Sequence, residues 1–118
     1  KGPLILNFWY AGCGPCRKEM PALAAFYKKY GDRVGVLGVD SGDTMPGAAL
    51  DLAKTSGVTY PLVADPGQDL QGTSLSLRGY PTFFFLAADG TLSKPVAGGI
   101  DSVEAVVTMV EQQLGIAL

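Results

Sequence analysis

The stretch Asn7–Pro21, NFWYAGCGPCRKEMP, carries both cysteines of the chain, Cys13 and Cys16, directly after an apolar run. That run, Leu4–Tyr10 (LILNFWY), is short and nearly continuous, the signature of a strand buried on both faces. From Cys16 onward the apolar residues Met20, Leu23, Tyr27 and Tyr30 recur at steps of four and three. Lys18, Lys28 and Lys29 fall on the other side, and Gly31 follows as a stop, so an amphipathic helix is expected. Pro21 lies inside it and removes the amide that would bond to the Arg17 carbonyl, which predicts a kink one turn past Cys16. The two thiols therefore stand where a buried strand turns into a helix.

Outward from this junction the pattern alternates. Val34–Val39 (VGVLGV) reads as a second buried strand, and Thr44 is placed to cap a helix over Met45–Ser56 that stops at Gly57. Pro61–Ala64 reads as a short strand, Asp65-Pro66-Gly67 as a turn, and Gln68–Ser74 as a weak helix leading through Leu75 and Leu77 to a Gly-Tyr-Pro-Thr segment. Thr82–Ala88 and Thr91–Ala97 flank Asp89-Gly90, a strong hairpin signal. Asp101, with Glu104 three positions on, suggests a capping box opening a last helix whose buried stripe is Val103, Val106, Val107, Val110 and Leu114. Strands alternating with helices imply one α/β domain over residues 1–118, a mostly parallel sheet covered on both faces.

At 118 residues the chain is long enough for a single domain with a real core, and 47% hydrophobic against 17% charged residues is the composition of a compact fold. Two cysteines in a domain of this size are not the framework of a small disulfide-dependent scaffold. A net charge of −2, without a basic stripe, gives no support for nucleic-acid binding. No stretch approaches the ~20 apolar residues of a membrane span. The abrupt start at a strand edge suggests that a leader or anchor has been removed.

The chemistry suggested by Cys13-Gly14-Pro15-Cys16 follows from its place. Unpaired amides and the positive end of the dipole at a helix N-terminus favour a thiolate at Cys13, drawing its pKa down from ~8.5, and Pro15 fits a first-turn position where no amide is needed. Arg17 and Lys18 add positive charge. A thiolate attacks a disulfide, and a second thiol one turn away resolves the mixed disulfide by closing a Cys13–Cys16 ring. Three other readings stand beside this one. Zinc needs about four ligands, and two Cys with no His do not complete a usual site. A structural disulfide closing so short a loop restricts little unfolded-state entropy. A peroxide-reducing thiol would more often stand near an Arg and Thr cluster that this sequence does not announce. Glu19, three residues beyond Cys16, falls near the same helix face, where it is either a proton acceptor for Cys16 or a solvated first-turn carboxylate. Asn7, inside the apolar strand, has an amide that needs hydrogen-bond partners and cannot take a proton, which points to a structural role.

Together, FWYAGCGPC before a helix, RGYPT some sixty residues later and the FFFLAADG hairpin resemble the thioredoxin superfamily over nearly the whole chain. The helix and YPLVADP strand between the second core strand and RGYPT are similar to the insert of the TlpA/ResA-like branch, extracytoplasmic and commonly membrane-tethered thiol-disulfide oxidoreductases. The resemblance implies a thioredoxin fold, a central five-stranded mixed sheet flanked by helices on both faces, in the order Pro61–Ala64, Val34–Asp40, Leu4–Tyr10, Thr82–Ala88, Thr91–Ala97, with only the last strand antiparallel. It makes Pro81 the cis proline opposite the cysteines. It gives Tyr80 a part in pairing with an extended substrate segment, and adds Gly14, Pro15 and Gly98 to the substrate-binding surface. It favours Glu19 as the acid/base group, since ResA-like proteins carry a glutamate three residues after the second cysteine. Cytosolic thioredoxins have Asp where Asn7 stands and Trp where Gly12 stands, so a more open nucleophile is expected here.

The implied activity is thiol-disulfide exchange on proteins without an added cofactor: Cys13 attacks, Cys16 resolves, Glu19 moves the proton. The expected setting is a monomer in the cell envelope, tethered to the membrane and served by an envelope thiol partner, reducing disulfides as in cytochrome c maturation. The alternatives are an oxidative-folding catalyst and, from another class, a redox-silent interaction domain that uses the Tyr80–Gly98 surface.

Overall fold

The computed structural model describes residues 2–43, 46–70, 75, 77 and 79–118. Its first strand, β1 (Leu4–Trp9), feeds α1 (Gly14–Tyr30), which runs on through Pro21 and buries Met20, Leu23, Ala24 and Phe26. Next come β2 (Gly35–Ser41), α2 (Pro46–Thr55) and β3 (Leu62–Asp65). Then follow β4 (Thr82–Leu86), the two-residue β5 (Val96–Ala97) and α3 (Val103–Leu114). Thr44 and Met45, proposed as a cap and first residue of α2, lie outside the described residues, as do positions 71–74 of the helix expected over Gln68–Ser74; Pro66–Gly67 and Asp69–Leu70 form turns.

The five strands form one sheet in the expected order, β3-β2-β1-β4-β5. Strand direction needs a correction. β1, β2 and β3 are parallel, but β4 is antiparallel to β1 (Phe8 opposite Thr82, Leu4 opposite Leu86), and β5, antiparallel to β4, runs with β1. The chain leaves β3 at Asp65, beside Ser41 at the carboxyl end of the sheet, and enters β4 at Thr82, beside Phe8 at that same end. A parallel β4 would require a crossover back to the opposite end, and the chain enters from the wrong side for one.

Side chains alternate along the strands. Ile5, Val36, Phe83 and Phe85 share one buried cluster with Leu23 and Phe26 of α1 and with Val106 and Val110 of α3. Trp9, on the same face, packs with Met20 of α1 and with Ala49, Leu52 and Ala53 of α2. Successive right-handed crossovers from β1 to β2 to β3 step the same way along the sheet, so α1 and α2 fall on one side. Where helices were expected on both faces, the opposite face, Leu6, Phe8, Val39 and Phe84, is met among the described residues by Leu75, Leu77, Tyr80 and Leu92.

The hairpin turns at Asp89-Gly90, with Gly90 at φ 94° and the Ala87 amide bonded to the Thr91 carbonyl at 2.8 Å. Its outgoing arm is less regular than expected: it bridges at Leu92 and forms a ladder only at Val96–Ala97. Pro95 has no amide to offer, and the Ser93 hydroxyl takes the Phe85 amide at 2.9 Å in place of a backbone carbonyl. The last helix is capped one residue later than expected. Ser102, not Asp101, is the N-cap, its hydroxyl accepting from the Ala105 amide at 3.1 Å, which places Glu104 at the second helical position instead of the third.

Candidate functional site

Cys13 is the N-cap of α1 and its side chain accepts the Cys16 amide at 3.1 Å. The preceding turn closes through the Cys13 amide to the Tyr10 carbonyl at 3.2 Å, and Pro15 occupies the first helical turn. The two sulfurs are joined as a disulfide with the Cα atoms 5.2 Å apart. Both residues are buried, Cys13 at 3% exposure and Cys16 at 1%, among Trp9, Ala11, Met20, Tyr10 and Tyr80. The open nucleophile expected from Gly12 is therefore absent in the disulfide state. The ring of Tyr10 lies 3.4 Å from where a Gly12 Cβ would stand and meets Tyr80 edge-on, with centroids 5.1 Å apart. These two tyrosines roof the pair where a tryptophan at position 12 is missing. Asn7 is buried in mid-strand between Gly38 and Phe83.

Beside the cysteines lies a cleft of about 510 Å³ whose lining includes Pro15, Glu19, Tyr80, Pro81, Gly98 and Gly99. Five of the expected site residues thus meet in one concavity; Gly14 stays outside its lining, exposed at the start of α1. The Tyr80–Pro81 peptide is cis. The Tyr80 hydroxyl hydrogen-bonds Ser41 at 2.9 Å, while its ring contacts the cysteine cluster, so this residue joins cleft and sulfurs. Gly99, which sequence reasoning did not single out, donates its amide to Glu19 Oε2. Its φ of 114° is one that favours glycine. The only sequence signal for it is the doubled Gly98-Gly99 just past the last strand.

Glu19 is 7% exposed, and its Oε1 is buried without a hydrogen-bond partner among the described residues. Burial pushes its pKa above the ordinary carboxyl value, against the pull of the Gly99 and Ile100 amides; the charge of Asp101 adds to the rise. A carboxyl in this position is suited to holding a proton at higher pH than a surface glutamate. Because the folded chain binds this proton more tightly than the unfolded chain, the associated stability is full below about the ordinary pKa. It is lost as pH rises through the folded value. Glu19→Gln is expected to flatten that part of a stability-against-pH curve measured by urea unfolding. It is also expected to slow disulfide exchange by roughly 10²-fold, removing the matching ionisation from the rate profile. An unchanged profile would leave Glu19 a structural carboxyl.

Among the described residues no helix is long and apolar enough to cross a membrane. Residues 1–94 match the model of the AhpC/TSA family. The thiol-disulfide oxidoreductase ResA of Bacillus thuringiensis (strain Al Hakam) is 32% identical over 96 residues, covering 80% of this chain and 54% of the relative. The chain thus spans about half the length of the curated relatives it matches. Among solved structures, a thiol:disulfide interchange protein of the thioredoxin family from Chlorobium tepidum TLS superposes with a TM-score of 0.81 at 25% identity, covering 97% of this chain and 81% of that one. StoA from Bacillus subtilis superposes at 0.74 with 28% identity, covering 89% and 79%.

Proposed function

Because the chain belongs to the AhpC/TSA family of thioredoxin-like proteins, we propose that it is a thiol-disulfide oxidoreductase acting on protein disulfides through Cys13 and Cys16. The observation that carries this reading is the pair itself: two sulfurs bonded to each other at the N-terminus of α1, next to a cleft holding a buried carboxyl. In the reduced protein the Cys13 thiolate attacks one sulfur of a substrate disulfide and expels the other as a thiolate. Cys16, giving its proton to Glu19, then attacks the Cys13 sulfur, closes the Cys13–Cys16 bond and releases the second substrate thiolate. Two electrons pass to the substrate, and the protons of the two cysteine thiols balance its two new thiols. The substrate segment lies along Tyr80, Pro81 and Gly98, with Pro15 facing it across the cleft.

Reduction outside the cytoplasm, on a membrane-tethered full-length protein served by an envelope thiol partner, is the setting we favour, by likeness to proteins named ResA and StoA. Gly-Pro between the cysteines resembles reducing thioredoxins near −270 mV; a measured potential above about −150 mV would replace the reductant by an oxidative-folding catalyst. The site needs no cofactor beyond its own disulfide, and it acts as a monomer. A redox-silent interaction domain would have no use for a second thiol one turn from the first.

The test is a trap. Cys16→Ala, reduced and exposed to envelope proteins of the source cell, is expected to hold substrates on Cys13 as mixed disulfides that dithiothreitol releases. Identifying them by mass spectrometry gives pathway and direction. No dithiothreitol-sensitive adduct above the level of a variant lacking both cysteines would overturn the proposal.

A further inference from the structure

The peptide of Ala11, two residues before Cys13, is gripped on both sides. Its amide donates to Asp43 Oδ2 at 2.9 Å, and its carbonyl accepts from the Arg17 guanidinium at 3.2 Å. Asp43 reaches Ala11 across 32 residues of sequence from the loop after β2. It does not stand alone there. Asp40, three residues earlier, is 7% exposed and directly beside Trp9 in the β1–β2 register, its Oδ1 is buried without a hydrogen-bond partner among the described residues, and the Asp43 carboxyl is close enough to perturb its ionisation.

We propose that Asp43 is a positioning residue for Cys13, fixing the Tyr10–Cys13 turn through the Ala11 amide, and that the proton Asp40 shares with it controls how firmly that turn is held. The inference deepens the oxidoreductase reading and rests on Cys13 being its nucleophile. Its test reads thiol reactivity, not turnover, so it can fail while protein-disulfide reduction stands.

Two neighbouring carboxyls, one of them buried, hold one proton between them well and none badly. Asp40 is the member that keeps it. Burial, then the hydrogen bond to Asp43 and the charge of Asp43, push its pKa from 3.8 up to about 7. Below that pH, Asp40 donates to the Asp43 carboxylate, which stays aimed at Ala11. Above it, two adjacent negative charges repel, Asp43 is driven from its position and the turn loosens. The other charged groups around the pair are already placed. From β3, Asp65 accepts the Asp69 and Leu70 amides; from α1, Arg17 is on the Ala11 carbonyl. α2 presents Ala49 and Leu50 to the cavity that Asp40 shares with Trp9, and its Asp51 and Lys54 are exposed. Trp9 of β1 does not titrate. No cation faces Asp40 among these groups, so loss of its proton is not compensated. The added charge and the slackened turn act in one direction, against a thiolate at Cys13.

Asp40→Asn keeps a donor toward Asp43 and cannot ionise. The measurement is the rate of iodoacetamide alkylation of Cys13 in the reduced protein, in a Cys16→Ala background that leaves one thiol, from about pH 5.5 to about pH 9. The wild-type residue at 40 and Asp40→Asn are expected to react equally at the acid end. From about pH 7 upward the protein with Asp40 should fall behind by up to about threefold, the equivalent of half a pKa unit at Cys13, and the two rates should converge again once Cys13 is fully ionised. Asp43→Ala should be slower than both and should lose the divergence. Trp9, the single tryptophan, supplies a second readout in the disulfide-bonded protein. Its emission should shift with a midpoint near 7 and not do so in Asp40→Asn. A rate ratio constant across the pH range overturns the proposal, as does an Asp43→Ala profile like that of the parent or a Trp9 transition that survives in Asp40→Asn.

Discussion

Cys13→Ser is expected to bring insulin-disulfide reduction, driven by dithiothreitol and followed by turbidity, to the uncatalysed level, a loss on the order of 10³-fold or more. Serine preserves the size of the cap and an acceptor for the Cys16 amide now bonded to Cys13 at 3.1 Å, so α1 should start as before and the fold should persist. What disappears is the thiolate, for which a hydroxyl is no substitute as a nucleophile toward sulfur. Equal activity in wild type and variant would sink the enzymatic reading. The same pair of proteins separates the peroxide-reducing alternative. Hydrogen peroxide consumption that depends on Cys13, with no insulin reduction, would make the protein a thiol peroxidase. Arg17, the basic side chain next to the pair in sequence, donates to the Ala11 carbonyl at 3.2 Å.

How much of this could be read from residues alone depends on the range of the interaction concerned. LILNFW and TFFFL are strands because each is a nearly continuous apolar run, and both are legible because burial on two faces leaves its mark in local composition. The direction of β4 is not legible there. Alternation along a strand is the same read forwards or backwards, and direction is set by where the chain leaves β3. The pairing of Cys13 with Cys16 is legible because it rests on a spacing of three residues within one turn. Glu19 was legible for the same reason, as a neighbour on α1. Its surroundings were not: Gly99 lies 80 residues away, and its hydrogen bond to Glu19 has no local trace. The same holds for Asp43 on Ala11. Gly12 misled in a more specific way. An absent side chain predicts open space only if nothing distant fills it, and Tyr80 closes over Tyr10 from seventy residues on.

Gly98→Ala is expected to be the most damaging methyl group that can be added near this cleft. A Cβ at position 98 would stand 2.5 and 2.6 Å from the two carboxylate oxygens of Glu19 and 2.8 Å from Cγ of Pro81. None of these partners can retreat cheaply: the carboxylate is held by the Gly99 amide, and Pro81 is a rigid ring that is itself buried. Relief requires either that the loop after β5 lift away or that Glu19 leave its buried seat, and overpacking of this kind costs about 1–3 kcal/mol. The choice between them is readable. If the loop lifts, Gly99 withdraws its amide and the carboxyl loses a hydrogen bond that lowers its pKa, so the Glu19 ionisation should move further up. If Glu19 swings toward water, burial no longer raises it and the ionisation should fall toward the ordinary 4.5. In either case urea unfolding should show the destabilisation, and exchange should slow about as much as in Glu19→Gln. Gly47→Ala, in the first turn of α2 where an added methyl meets nothing, sets the scale for the substitution itself and should gain at most about 0.5 kcal/mol from helix propensity. A Gly98→Ala protein with wild-type stability and an unmoved ionisation would mean that Glu19 and Pro81 do not close on Gly98 in solution, and the carboxyl would then lack the buried seat from which it is proposed to take the proton of Cys16.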